Sequence, residues 1–240
     1  MIPLISISGC GHTGSSVLAR ILGTHSLMYF VTIESGMFLA NRFFSHLDSF
    51  DTYQKNAINN GKSFIVEKTP RHIWHVDYIR RCYPSTRFVL TTRSCFDTVA
   101  SLYERTKDFQ ASLRRYQDDS ILTIRQLNQS DTFLVQYESL ISDPSALLSK
   151  LCNWLGVEYE SSMLNYSDKP IDWNLSNPYS FGTLTNHDHL RNQQVNSPLK
   201  KSSVTWQERL PLKYHGQIQE FFAEGSIGYD IISELGYIKD

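Results

Sequence analysis

The stretch Ile2 to His25 constrains this chain most, because it reads as a strand, a glycine-rich turn and a helix in immediate succession. Ile2, Leu4, Ile5 and Ile7 form a short apolar run that suits a buried parallel strand. The run breaks at Gly9. Gly9, Gly11 and Gly14 permit positive φ and a close approach of backbone to ligand, and Thr13, Ser15 and Ser16 bring hydroxyls to the point where a helix begins. The unpaired N–H groups of a first helical turn, with the positive end of the helix dipole, favour a phosphate there without any basic side chain. A tight turn packed for structural reasons alone is the competing explanation, but three glycines and three hydroxyls at one helix start favour an anion cradle. The helix continues through Val17, Leu18, Ile21 and Leu22 to Gly23.

Gly9 and Gly14 have the spacing of a Walker A loop, yet Ser15 and Ser16 stand where that motif requires Lys and then Ser or Thr. Without the lysine that grips the β and γ phosphates, an ordinary ATPase, GTPase or kinase is disfavoured, and a ligand with fewer phosphates fits better. The 240 residues carry 23 basic and 24 acidic side chains, a formal net charge of −1. No global field therefore draws in nucleic acid or an acidic membrane, and a polyanion must be gripped locally. Cys10, Cys82, Cys95 and Cys152 lack metal-finger or CxxC spacing, and a first strand at Ile2 leaves no room for a signal peptide, so reduced thiols and a cytoplasmic location are expected. No apolar run approaches the length of a membrane span.

Further along, Leu27 to Ile33 reads as a second strand, Gly36 to Leu47 as an apolar-faced helix and Asp48 to Asn60 as a polar one. Ser63 to Val66 is a strand that delivers Glu67, Lys68, Thr69 and Pro70 at its C-terminal end, where ligands bind in parallel α/β sheets. A helix over Ile73 to Tyr83 leads to a strand at Arg87 to Thr92. Arg93 follows at that strand's tip, and Ser101 lies eight residues on in the next helix, Phe96 to Thr106. An arginine suits a bidentate hold on phosphate and a helix hydroxyl can complete the shell, although Arg93 has Asp97 and Glu104 nearby as alternative partners. A helix over Phe109 to Asn128, a strand at Thr132 to Gln136 and a helix opened by Pro144 and closed before Gly156 follow. Residues 159–198 are polar and irregular, as a substrate-side flap would be. Two helices, Leu212 to Phe222 and Ile227 to Leu235, end the chain.

Three stretches together, SGCGHTGSS, VEKTPRH and RFVLTTRSCFDTVASL, resemble the sulfotransferases that use 3′-phosphoadenosine 5′-phosphosulfate (PAPS), and YESLISDPSALLSKLCNWLG extends the likeness over roughly the first two thirds of the chain. The resemblance implies one P-loop-like α/β/α sulfotransferase domain over residues 1–240, with a central, mostly parallel sheet, an irregular C-terminal flap and helices. It implies PAPS as co-substrate, 3′-phosphoadenosine 5′-phosphate (PAP) as product, and no metal. By the same likeness Gly11, Thr13, Gly14, Ser15 and Ser16 hold the 5′-phosphosulfate, Arg93 and Ser101 the 3′-phosphate, and Tyr137 lies by the adenine.

The VEKTP stretch is similar to that of heparan-sulfate sulfotransferases, which implies Glu67 as general base. An acceptor hydroxyl is a poor nucleophile at neutral pH, and a partly desolvated carboxylate can take its proton. Lys68 sits where it can neutralise charge on the transferring group, while a purely structural Glu67 would pair with Lys68 or Arg71. The family usually carries Lys or Arg in the glycine loop where this chain has His12. Either imidazolium donates to the leaving phosphate oxygen, or Lys68 supplies the charge and His12 only packs. Lys201 is a candidate 3′-phosphate ligand or a solvated basic turn. His72 and His75 are expected to line the acceptor cleft. The acceptor is a hydroxyl, or an amine, of a carbohydrate or small molecule; the competing functions are an atypical P-loop phosphotransferase and a non-catalytic nucleotide-binding protein.

Overall fold

The apolar strands alternate cleanly between two faces of one sheet, and that alternation places every element around the site. A computed structural model describes residues 1–39, 46–173, 186–200 and 203–238. Among these, β1 (Leu4–Gly9), β2 (Met28–Phe30), β3 (Phe64–Lys68), β4 (Arg87–Thr92) and β5 (Thr132–Gln136) form a sheet in the order β2-β3-β1-β4-β5, with every pairing parallel. The expected α/β architecture with a central parallel sheet is thus present. Ile5 and Ile7 of β1, Val66 of β3, Val89 of β4 and Val135 of β5 point to one face. Leu4, Ile65, Phe88 and Leu90 point to the other. Successive strand residues project to opposite faces, so both faces of a central strand must be apolar.

The first face is covered by α1 (Ser15–Leu22), α6 (Tyr137–Ser142) and α7 (Pro144–Leu155), which contribute Leu18, Ile21, Leu140, Leu148 and Leu151 to one core. The second is covered by α2 (His46–Asn59), a 3-10 segment at Pro70–His75 and α3 (Val76–Cys82), through Phe50, Ala57, Ile73, Val76 and Ile79. A third cluster joins α4 (Cys95–Thr106) and α5 (Phe109–Ile124) to the C-terminal α10 (His215–Phe221) and α11 (Ile227–Glu234), with Val99, Leu113, Ile218 and Ile231 at its centre. Local signals set several boundaries. Asp143 caps α7 by accepting from the Ala146 N–H at 3.0 Å, Pro144 occupies the first turn, and Gly156 ends the helix at φ 78°.

Three expectations are corrected. β3 runs two residues past Val66, through Glu67 and Lys68. The helix read from Ile73 begins instead as the 3-10 turn at Pro70, because proline fixes φ but withholds an N–H. The stretch 159–198, read as irregular, holds 3-10 turns over Ser161–Asp168, kinked at Asn165, and α8 (Asn186–Val195). Most of the helix expected over Gly36 to Leu47 lies outside the described residues.

The turns at Ser161–Asp168 are fastened by a buried cation. Arg20 of α1 is 4% exposed, and its Nη2 donates to the carbonyls of Tyr166, at 2.7 Å, and Lys169. The Tyr166 hydroxyl donates onward to the Ser197 carbonyl at 2.6 Å. Hydrogen bonds from charged groups are worth about 1.5–3 kcal/mol each, and stranding two carbonyls adds desolvation cost. Arg20→Met, which keeps the apolar stem, should therefore lower unfolding free energy by about 2–4 kcal/mol. Chemical denaturation checks this, and an unchanged midpoint would show that the tie carries no stability.

Candidate active site

Ligands in open parallel sheets bind beyond the C-terminal strand ends where the strand order reverses. Here the chain leaves β1 towards β2 and leaves β4 towards β5 on the other side, so the reversal falls between β1 and β4. A cleft of about 890 Å³ opens there. It gathers His12, Gly14, Ser15 and Ser16 from the glycine loop, Lys68 from β3, Arg93 from just past β4, Ser101 from α4 and Tyr137 from α6. Eight residues singled out from separate parts of the sequence therefore share one wall.

The loop differs in detail from what the glycines suggest. Gly9 and Gly14 have positive φ, 126° and 81°, but the third positive φ, 71°, belongs to His12 rather than Gly11. A non-glycine residue held there stores strain of about 1–3 kcal/mol, a feature that collects at functional sites. Gly11 is needed for space: a Cβ would lie 2.8 Å from Arg115 Nη2. That guanidinium is held from behind by Asp119, whose other oxygen accepts from Trp74 Nε1 at 2.7 Å. Gly14 is the N-cap residue of α1, and a Cβ there would meet the Tyr137 ring at 2.4 Å. Thr13 turns away from the cleft, bonding the Cys10 carbonyl and the Thr91 hydroxyl, each at 2.7 Å. Gly11 and Thr13 thus shape the loop, and neither lines the cleft.

Arg93 is 13% exposed and lies over the Tyr137 ring, 4.8 Å from its centroid. Its nearest carboxylate, Asp97, stands at 3.7 Å, too far for a strong paired contact, and the buried Nε has no hydrogen-bond partner among the described residues. Glu104, the other expected partner, is taken by Arg209. Ser101 Oγ is 2.8 Å from His12 Nδ1. Lys68 is fully buried, 3.3 Å from Glu34 Oε1, with its ammonium 5.3 Å from the centre of the Trp173 ring.

Glu67 and Lys68, neighbours in sequence, part company. Strand alternation sends Lys68 with Val66 towards the cleft and Glu67 with Ile65 to the opposite face. Glu67 is fully enclosed there. Its Oε1 accepts from Ser35 Oγ at 2.7 Å and Thr69 Oγ1 at 2.6 Å, and its Oε2 lies 3.1 Å from His72 Nδ1. The partner is His72, not Lys68 or Arg71. Burial works to raise the Glu67 pKa, but His72 and the Thr69 and Ser35 hydroxyls outweigh it and hold the pKa below its ordinary 4.5.

Sequence reading missed Arg105 and Arg209, which add positive charge to the cleft wall, and Gln193 and Gln194 from the stretch read as a flap. Arg105 was findable: it is one helical turn after Ser101 and so shares its face. Arg209 reaches the cleft through its ion pair with Glu104, a contact without local signal. Lys200 lines the cleft, whereas Lys201 lies outside the described residues. The described residues contain no group of three or more histidine, cysteine or acidic side chains placed to hold a metal. No helix among them is long and apolar enough to cross a membrane.

The model of the sulfotransferase family matches residues 39–161, just over half of the chain. The chain belongs to the sulfotransferase family. The likeness to PAPS-dependent enzymes drawn from the loop, VEKTP and Arg–Ser motifs is borne out. No curated protein sequence matches. Solved structures similar to this sulfotransferase include mouse sulfotransferase SULT7A1 complexed with PAP, at 15% identity and TM-score 0.66, covering 100% of this chain and 90% of that one. The sulfotransferase domain from the curacin biosynthetic pathway aligns at 15% identity and TM-score 0.63, over 100% and 99%. The domain from the Synechococcus PCC 7002 olefin synthase gives 14%, 0.57, and coverage of 98% and 93%. At these identities the likeness is one of fold.

A carboxyl whose folded pKa lies below its unfolded one stabilises the fold above the unfolded value, and that stability is lost as pH falls through the folded value. Glu67 is such a group. His72→Gln removes the strongest opposition to desolvation, so its folded pKa should rise and acid unfolding should begin at higher pH than in the wild type. Acid titrations followed by near-UV circular dichroism check this; superimposable curves would show that His72 does not hold the Glu67 charge.

Proposed function

We propose that this sulfotransferase moves the sulfuryl group of PAPS to a hydroxyl, or an amine, of a small-molecule or carbohydrate acceptor by in-line displacement, releasing PAP. The observation that carries the donor is the set at the β1–β4 reversal: a glycine loop opening a helix, Arg93 over the Tyr137 ring with an Nε unpartnered among the described residues, and Ser101 lining the same cleft. In this reading the N–H groups at the start of α1 and the Ser15 and Ser16 hydroxyls receive the 5′-phosphosulfate. Arg93 and Ser101 take the 3′-phosphate, and Tyr137 offers its ring to the adenine. Lys68, with Arg105 and Arg209 around the same cleft, offsets the charge that a bisphosphate carries. Lys201 is proposed as a further 3′-phosphate ligand on the strength of its neighbour Lys200, which lines the cleft. The complex of SULT7A1 with PAP is consistent with such a product.

Glu67 is proposed as the group that takes the acceptor proton. It is ionised through the neutral range, and an acceptor that displaced the Ser35 or Thr69 hydroxyl would remove one of the contacts that hold its pKa down and so strengthen it as a base. Its enclosure requires the acceptor to approach from the Ser35 and Thr69 side and to replace one of those hydroxyl donors, which also desolvates the reacting oxygen. His12 is proposed to face the leaving phosphate oxygen, where the family usually has a fixed cation.

Adenosine 3′,5′-bisphosphate should bind more tightly than AMP or ATP, and Arg93→Ala should reduce that preference by about tenfold to a hundredfold, the worth of one charge-assisted phosphate contact of roughly 1.5–3 kcal/mol. Calorimetry with ATP binding as well as the bisphosphate would sink the donor assignment. Glu67→Gln preserves shape but cannot accept a proton. Single-turnover transfer should fall by about two to four orders of magnitude while bisphosphate affinity holds. Near-native transfer in that variant would move the base elsewhere. Lower stability or weaker donor binding, with only a proportionate loss of transfer, would instead make Glu67 a structural partner of His72.

A further inference from the structure

The contact between His12 and Ser101 joins two groups given separate duties, one at the leaving phosphate and one at the 3′-phosphate. Nδ1 of His12 is 2.8 Å from Ser101 Oγ, so the ring can serve a ligand in the cleft only through Nε2. A serine hydroxyl has one hydrogen to give, and a neutral imidazole carries one N–H. If Ser101 donates to Nδ1, the hydrogen of neutral His12 must sit on Nε2. A phosphate dianion is an acceptor only, so a 3′-phosphate bound by Ser101 takes that hydroxyl hydrogen. Ser101 can then only accept from His12, which requires a proton on Nδ1.

Resting on the donor assignment above, we infer that Ser101 makes the protonation of His12 follow the donor's 3′-phosphate. In the empty cleft the hydroxyl donates to Nδ1, and His12 is neutral with Nε2–H. When a 3′-phosphate binds, the hydroxyl turns to it and His12 takes one proton from solvent onto Nδ1, becoming an imidazolium that donates from both nitrogens. The neutral Nδ1–H tautomer is excluded in the complex because it would turn the Nε2 lone pair on an anionic phosphate oxygen.

The surrounding charges act in the same sense. Lys68, 3.3 Å from Glu34, faces the cleft from β3, Arg93 from just past the end of β4 with Asp97 of α4 3.7 Å away, and Glu104 and Arg105 from α4. Arg209 comes from α9 (Trp206–Arg209) and is paired with Glu104, and Lys200 lies before it in the chain. The Tyr137 and Tyr166 phenols line the same cleft, and behind the loop stand Arg115 with Asp119 and the buried Cys10. Cations outnumber carboxylates in this set and oppose a charged His12 while the cleft is empty. Each phosphomonoester brings a charge of about −1.5 to −2, so the two of PAP together reverse that balance and the single one of AMP does not. Ser101 is thus a positioning residue, and a donor without a 3′-phosphate leaves the leaving-group side uncharged.

The test uses the full chain with ¹⁵N-labelled imidazoles, the His12 signals being assigned by their loss in His12→Asn. At about pH 7.5 the empty protein should show protonated Nε2 and bare Nδ1, unchanged by AMP. PAP should protonate both nitrogens. In Ser101→Ala, PAP and AMP should give the same ring state. Above the pH at which bound His12 loses its proton, wild-type affinity for PAP should weaken by up to about tenfold per pH unit relative to His12→Asn. The inference is overturned if the ring already carries Nδ1–H in the empty protein, if PAP outcompetes AMP while leaving His12 neutral, or if Ser101→Ala still distinguishes the ligands. None of those results touches the donor assignment. PAP binding no better than AMP would overturn both.

Discussion

The candidate site depends on one constraint, that β1 is hydrogen-bonded on both edges and buried on both faces while its last residue opens directly into the glycine loop. A strand so confined cannot shift along its axis without breaking register with both β3 and β4. The first N–H groups of α1 are therefore held at a fixed depth relative to the ends of those strands. Gly9 is part of this lock, because a Cβ there would stand 2.5 Å from the Thr91 carbonyl oxygen. Thr13 adds to it by bonding Thr91 across the seam. Preorganised donors of this kind need no rearrangement when charge arrives, which is where electrostatic stabilisation gains its strength.

The same strand geometry divides the site in two. Lys68 and Glu67 leave β3 on opposite faces, one beside Trp173 at the cleft between β1 and β4 and the other among Ser35, Thr69 and His72. Both lie at the C-terminal end of the sheet, so a group crossing that edge passes from one to the other without the two side chains touching. Separation prevents the ion pair that adjacent opposite charges would otherwise form. Lys68 instead has Glu34, which is partly exposed, and Glu67 has hydroxyls and an imidazole.

Much of this was legible where local chemistry decides structure. The bounds of β4 and β5 follow from apolar runs closed by polar residues, and those of α7 from Asp143, Pro144 and Gly156. Eight of the candidate site residues meet because strand ends in a parallel sheet share one edge. The period of two that parts Glu67 from Lys68 was also present, but reading the strand only to Val66 concealed it. Other features had no local signature. Ser161–Asp168 and α8 are polar segments whose order comes from distant partners, Arg20 holding the carbonyls of Tyr166 and Lys169, and Asn196 bonding Ile171. The pairing of Arg209 with Glu104 spans 105 residues, and no spacing rule reaches that far.

His12 shows how the cleft accommodates a departure from the usual basic residue in the loop. A lysine would bring a permanent charge on a flexible stem, whereas imidazole is short, and its reach is set by a backbone in the left-handed region at φ 71°. That conformation is costly for a residue with a Cβ and persists only when neighbours overdetermine it. Here the neighbours are Gly11, pressed against Arg115, and Ser101, which holds the ring by Nδ1. Permanent charge in the cleft is carried by Lys68, Arg93, Arg105, Lys200 and Arg209 instead. These side chains come from five different places in the chain and line one cleft, so attraction for a polyanion is distributed, while in the proposed reading the group that faces the leaving oxygen can change its charge. A fixed cation in the loop would be charged in the empty cleft as well. By the inference above the imidazole gains its charge only once a 3′-phosphate is bound, and so faces the leaving oxygen as a cation when negative charge develops there.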